Sequence, residues 1–100
     1  MNVLNCKTVE GSWKVKNGKF VRIRLTMSDK VESCLISGDF FLVPSESIVD
    51  LENSVCGLSC NSSREAFQKS FSNVLVGKDL LGVTAFDLSK YIIELLCDGE

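Results

Sequence analysis

The chain has no histidine among its 100 residues. Imidazole general bases, Ser-His-Asp triads and His-ligated metal sites are therefore excluded. Neither a G-x-x-x-x-G-K-[ST] loop nor a G-x-G-x-x-G turn occurs, so the standard phosphate cradles are missing as well. Apolar runs are short: Phe40-Phe41-Leu42-Val43 falls far below the ~20 residues that span a bilayer as a helix. The opening Met1–Cys6 stretch lacks the charged and apolar regions of a secretion signal, so no membrane association and a cytoplasmic location are expected. Proline occurs once, and no low-complexity run, repeat or linker divides the sequence.

Cysteine is the one chemically reactive type in good supply, at positions 6, 34, 56, 60 and 97. An odd count without an export signal argues against a disulfide framework. Cys56 and Cys60 have a C-x3-C spacing, but with no histidine and no second close pair a tetrahedral metal site lacks two ligands. Buried thiols mostly act as small hydrophobes. Cys60, just before a helix, is the one thiol placed for activation as a nucleophile. The carboxylates are spread over solvent-type positions, and no acid–base pair stands out among them.

What is present fits one folded domain over residues 1–100, with 1–10 a loose amino-terminal segment. Hydrophobic residues make up 45% and charged residues 24%, the profile of a globular chain with room for one core. The net charge of −2 hides an asymmetry. Seven of the eleven basic residues lie in the first thirty positions, against Glu10 and Asp29; the remainder is strongly acidic. A basic amino-terminal portion suits an anionic partner or a solvated sheet face. An overall pI near 5.1 does not favour nucleic acid.

Strand patterning fills the first forty residues and helix patterning the rest, which is the α+β arrangement. Val21, Ile23, Leu25 and Met27 alternate with Arg22, Arg24 and Thr26, the period of a half-buried strand. Joining this strand to Trp13 and Val15 through a two-residue Asn17-Gly18 turn would mix the faces. A three-residue loop, Lys16-Asn17-Gly18, pairs Trp13 with Val21 and Lys14 with Phe20 and keeps the apolar set together. A tight Asp29-Lys30 turn then opposes Leu25 to Cys34, Ile23 to Ile36 and Val21 to Gly38, with Lys19–Met27 as the middle strand.

The opposite face displays Lys14, Phe20, Arg22, Arg24 and Leu35, two apolar groups beside three cations and a candidate docking surface. Pro44 suits a first helical turn and Glu46 its amino-terminal dipole, with Ile48, Leu51 and Val55 as the buried stripe before Gly57. Ser62-x-x-Glu65 reads as a capping box for a second helix carrying Phe67, Phe71, Val74 and Leu75. Thr84-x-x-Asp87 reads as a weaker one before Leu88, Tyr91, Ile92, Leu95 and Leu96. The expectation is a three-stranded antiparallel sheet, order 1-2-3, with about three helices on one face. Physical chemistry alone reaches a binding or accessory module.

Particular elements extend that reading. Gly18-Lys19-Phe20-Val21-Arg22, the strand end Gly38-Asp39-Phe40-Phe41, the Pro44-led helix and the Gly82-Val83-Thr84 entry into the last helix lie between residues 13 and 97. Together they resemble the carboxy-terminal accessory domain of lipoate–protein ligases, above all the version made as a separate small subunit in two-protein archaeal ligases. The resemblance implies a fold similar to the sulfur-transfer and iron–sulfur scaffold proteins. It also implies an accessory subunit without a catalytic site or bound cofactor. A large catalytic subunit would hold ATP and lipoate, form lipoyl-adenylate and modify an acceptor lipoyl domain, which the small chain meets only indirectly. Asp39, Phe40 and Phe41 join the candidate interface on this ground. A cysteine-based sulfur or iron–sulfur carrier is the alternative.

Overall fold

The computed structural model describes residues 6–15 and 19–98. Three antiparallel strands, β1 (Lys7–Lys14), β2 (Phe20–Met27) and β3 (Val31–Gly38), form a sheet in the order β1-β2-β3. Val21, Ile23, Leu25, Cys34 and Ile36 point to one side and are buried. The pairs Trp13–Val21, Lys14–Phe20, Leu25–Cys34, Ile23–Ile36 and Val21–Gly38 occur as the alternation demands. The Lys16–Gly18 loop itself lies outside the described residues; its closing bond, from Val15 N to Lys19 O at 2.9 Å, does not.

Two expectations about the strands need correction. Residues 7–10 of the segment expected to be loose belong to β1, with Val9 packed against the core. The second hairpin closes on three residues, Ser28-Asp29-Lys30, not on Asp29-Lys30 alone. Met27 pairs with Val31, and the register shifts there. A two-residue turn would have put Glu32 on the core side and Val31 in water. The extra residue buries Val31 to 1% exposure instead, and it frees the Glu32 carboxylate to accept the Ser28 hydroxyl at 2.7 Å. Burying apolar surface while sparing a carboxylate from desolvation favours the bulge.

The helices are α1 (Ser47–Asn53), α2 (Arg64–Leu75) and α3 (Ala85–Asp98). α1 lies against β3, α3 against β1 and β2, and α2 packs on both helices. Phe67, Phe71, Leu88, Ile92 and Leu51 fill the space between. The α1 helix starts later than expected: Pro44 is in the preceding turn, where its carbonyl accepts from Ser47 N, and Glu46 is the N-cap. α2 is capped one residue further on, by the Ser63 hydroxyl accepting from Ala66 N, so Ser62 and Glu65 form no box. The full reciprocal box belongs to α3: Thr84 Oγ1 accepts from Asp87 N and the Asp87 carboxylate accepts from Thr84 N. β3 is an edge strand, and Glu52 of α1 reaches it to accept from Ile36 N at 2.8 Å. This occupies an edge donor that another chain would otherwise find open.

A second sheet was not foreseen. β4 (Phe41–Val43) and β5 (Asp79–Leu81) pair antiparallel, Phe41 opposite Leu81 and Val43 opposite Asp79. Three residues per strand are too few for a period to show in sequence. The pair forms because Leu42 enters the core at 7% exposure and carries its neighbours with it.

Candidate functional site

Among the described residues, no helix covers the face of the large sheet away from the core. Two rows cross its middle: Glu10, Arg24 and Leu35, then Ser12, Arg22 and Ser37. Strand alternation fixes this, since the residues between them point inward. Phe20 and Leu35 are about half exposed, at 51% and 53%. The Lys14 ammonium lies 5.9 Å from the Phe20 ring centroid, within cation–π range. A shallow cavity of about 220 Å³ opens among Ser12, Phe20, Arg22, Ser37 and Gly38.

The five sheet residues singled out from sequence therefore come together, and a sixth joins them. Glu10 faces both arginines, with Arg22 Nε 3.6 Å from Oε2 and Arg24 Nη2 3.3 Å from Oε1. Arg22 also donates to the Ser12 hydroxyl at 3.3 Å. The cationic concentration is thus partly offset by one carboxylate. Because all three side chains are exposed, each pairing is worth only ~0.2–1 kcal/mol. It leaves the guanidiniums available to a better partner. Extending the Ser12, Lys14 alternation backwards would have found Glu10. Gly11, which breaks the apolar series between Val9 and Trp13, hid it.

The Gly38-Asp39-Phe40-Phe41 element divides by side chain. A Cβ on Gly38 would lie 2.1 Å from the Phe20 carbonyl oxygen, so only glycine lets β3 close on the end of β2 here. The Asp39 amide then donates to that same oxygen at 2.9 Å. The Asp39 carboxylate makes no hydrogen bond among the described residues and stays exposed. Phe40 packs against the core, whereas Phe41 is 64% exposed on the small sheet beside Leu81.

Cys34 and Cys56 are neighbours, but among the described residues the cysteines form no larger cluster. Cys6 and Cys97 are exposed, Cys34 is buried on β3, and no group of three metal-ligating side chains occurs among the described residues. Burial pushes the Cys34 thiol far up from its ordinary range. Cys60 is raised by burial and then by the Asp29 charge, and its thiol donates weakly to Ser28 O. These shifts oppose thiolate formation, so the helix-start position does not activate Cys60.

Fold and face together define a small α+β domain whose uncovered sheet face carries cations beside exposed apolar side chains. No family profile and no curated protein sequence matches the chain. Among solved structures, a chain of an archaeal lipoylation system from Thermoplasma acidophilum, described as a bipartite lipoate–protein ligase and its E2 lipoyl domain, superposes with a TM-score of 0.69. Identity is 25%, over 87% of this chain and 96% of that one. The chain is therefore a distant structural homologue of a chain from that bipartite lipoate–protein ligase system.

Proposed function

We propose that this chain is the non-catalytic small subunit of a two-protein lipoate–protein ligase, working in the cytoplasm as a heterodimer with a large catalytic subunit. One observation carries the reading: the likeness runs over nearly the whole of both chains. It is a match between two small chains of similar extent, not to one domain inside a long enzyme. The residues agree with that division of labour. The chain lacks histidine and phosphate loops, and burial pushes the Cys34, Cys56 and Cys60 thiols up, against thiolate formation. What it offers is surface: a bare sheet face with cations beside Phe20 and Leu35. In this reading ATP and lipoate bind the large subunit, which forms lipoyl-adenylate and passes the acyl group to a lipoyl acceptor domain.

No arrangement of thiols favours the alternative of a sulfur or iron–sulfur carrier. The kinship of the fold with sulfur-transfer and iron–sulfur scaffold proteins remains part of the proposal.

The test is lipoate-dependent ATP–pyrophosphate exchange with the catalytic ligase subunit from the same genome. The small chain alone should be inactive, the mixture active. Exchange by the small chain alone, or full exchange by the large subunit without it, would overturn the reading.

A further inference from the structure

A second surface lies at the end of the molecule where β1, β5 and the start of α3 converge. There an open cleft of about 760 Å³ is bounded by Lys14 and Val15 on one side and by Leu81, Val83, Phe86, Lys90 and Tyr91 on the other. That volume is in the range of pockets that take ligands, ~300–1,000 Å³. Its floor is apolar, with Val83 and Tyr91 nearly buried. Its rim is mixed: Leu81 and Phe86, 57% and 47% exposed, stand among Thr84, Asp87 and two lysines.

The charges around the cleft are unequal in what they are free to do. Asp87 is engaged at the Thr84 amide by the capping box. Lys90 is exposed and makes no hydrogen bond or ion pair among the described residues. Among the described residues, Lys14 has only the Phe20 ring as a partner for its ammonium. A cleft with an apolar floor, two ammonium groups and one carboxylate already engaged at a helix cap carries a net positive charge, complementary to apolar side chains accompanied by carboxylates. Sites for small molecules enclose most of their ligand, whereas this rim is open. An open rim favours a chain segment.

We propose that this cleft seats a short segment of the catalytic subunit in which one or two apolar side chains are flanked by Asp or Glu. The proposal rests on the reading of the chain as the small subunit of a bipartite ligase. Lys14 belongs both to the cleft and to the bare sheet face, so the two surfaces form one continuous interface around the end of β1. Phe41 reaches the same region through its partner Leu81.

The test uses the whole chain and the catalytic ligase subunit from the same genome. Hydrogen exchange of the small chain, alone and with the large subunit, should show protection over 80–86 on binding. Lys14→Glu/Lys90→Glu and Leu81→Asp should each weaken association at least tenfold while leaving the melting temperature near that of wild type. Phe86→Ala, which adds no charge to the rim, should weaken it less.

Failure of wild type to bind at all would remove the ligase reading and this proposal with it. Tight wild-type binding that both variants retain, or protection confined to the large-sheet face, would overturn the cleft proposal alone. Saturable binding of octanoate to the small chain by itself, abolished by Lys90→Glu, would assign the cleft to a small carboxylate and overturn the docking segment.

Discussion

Trp13 lies flat on Tyr91, with ring centroids 4.6 Å apart and 9° between the planes. The indole also donates to Glu94 Oε1 at 3.1 Å. The pair joins the first strand to the last helix across most of the sequence, so the amino- and carboxy-terminal halves stabilise one another through it. A stacked aromatic pair contributes ~0.5–1.5 kcal/mol beyond its buried area.

Gly11 makes room for that stack. A Cβ there would stand 2.6 Å from Trp13 Cη2 and 3.1 Å from Leu95 Cδ2. Gly11→Ala should therefore push the indole off Tyr91 and destabilise the fold by ~1–3 kcal/mol, the usual range for overpacking. Trp13 is the only tryptophan, so a red-shifted emission together with a lower melting temperature reports the displacement directly. An unchanged spectrum would show that the ring adjusts in place.

Glu10 turns the arginine face into a graded test. Arg22→Ala/Arg24→Ala should fold normally and lose at least about tenfold in affinity for the catalytic subunit, on the order of 1.4 kcal/mol. Glu10→Gln removes the competing carboxylate and should strengthen binding of an acidic partner. Both effects should shrink at high salt, where exposed charges are screened. Titration at two salt concentrations measures this, and superimposable curves for all three proteins would reduce the face to a solvated surface.

Phe40 and Phe41 are adjacent but differently placed. Phe40→Ala removes a ring packed against the core and should destabilise by ~2–3 kcal/mol, at or below the usual range for a fully buried ring. Phe41→Ala empties an exposed position and should change stability by only about 0.5 kcal/mol, while weakening association. Denaturant titration beside a binding titration separates the two. Equal losses of stability would contradict the division.

Cys34 links stability to alkaline pH. Its thiol is pushed up in the folded state by burial first and by the neighbouring Cys56 and Glu52 charges after it. The contribution is complete below the unfolded thiol pKa, and it shrinks as pH rises above that value because the unfolded chain releases the proton more readily. Unfolding free energy should therefore fall from about pH 8.5 upward, and less steeply in Cys34→Val. Cys34→Ser should cost ~1 kcal/mol or more at neutral pH, by placing a hydroxyl among apolar neighbours.

The sequence by itself determined the large sheet and the identity of its buried face. Val21, Ile23 and Leu25 alternate with cations, and only one register keeps them together with Trp13, Cys34 and Ile36. It also determined where the three helices lie, because the apolar stripes of Leu51, Phe67, Phe71, Leu88 and Ile92 repeat at helical spacing. Cap positions were less legible. Ser62 and Ser63 are equally good acceptors, and the approach of the chain to α2, not residue type, selected Ser63.

Tertiary structure alone decided the bulge that turns Val31 inward and Glu32 outward, since a desolvated carboxylate weighs against a tight turn only once the sheet has a core side. It likewise decided the β4–β5 pair and the cleft beside it. Those strands are too short to carry a period, and they meet because Leu42 and Val83 are drawn into a core that other residues built. The pairing of Glu10 with both arginines has the same origin: fourteen residues separate Glu10 from Arg24, and antiparallel pairing, not proximity in sequence, sets the carboxylate between them.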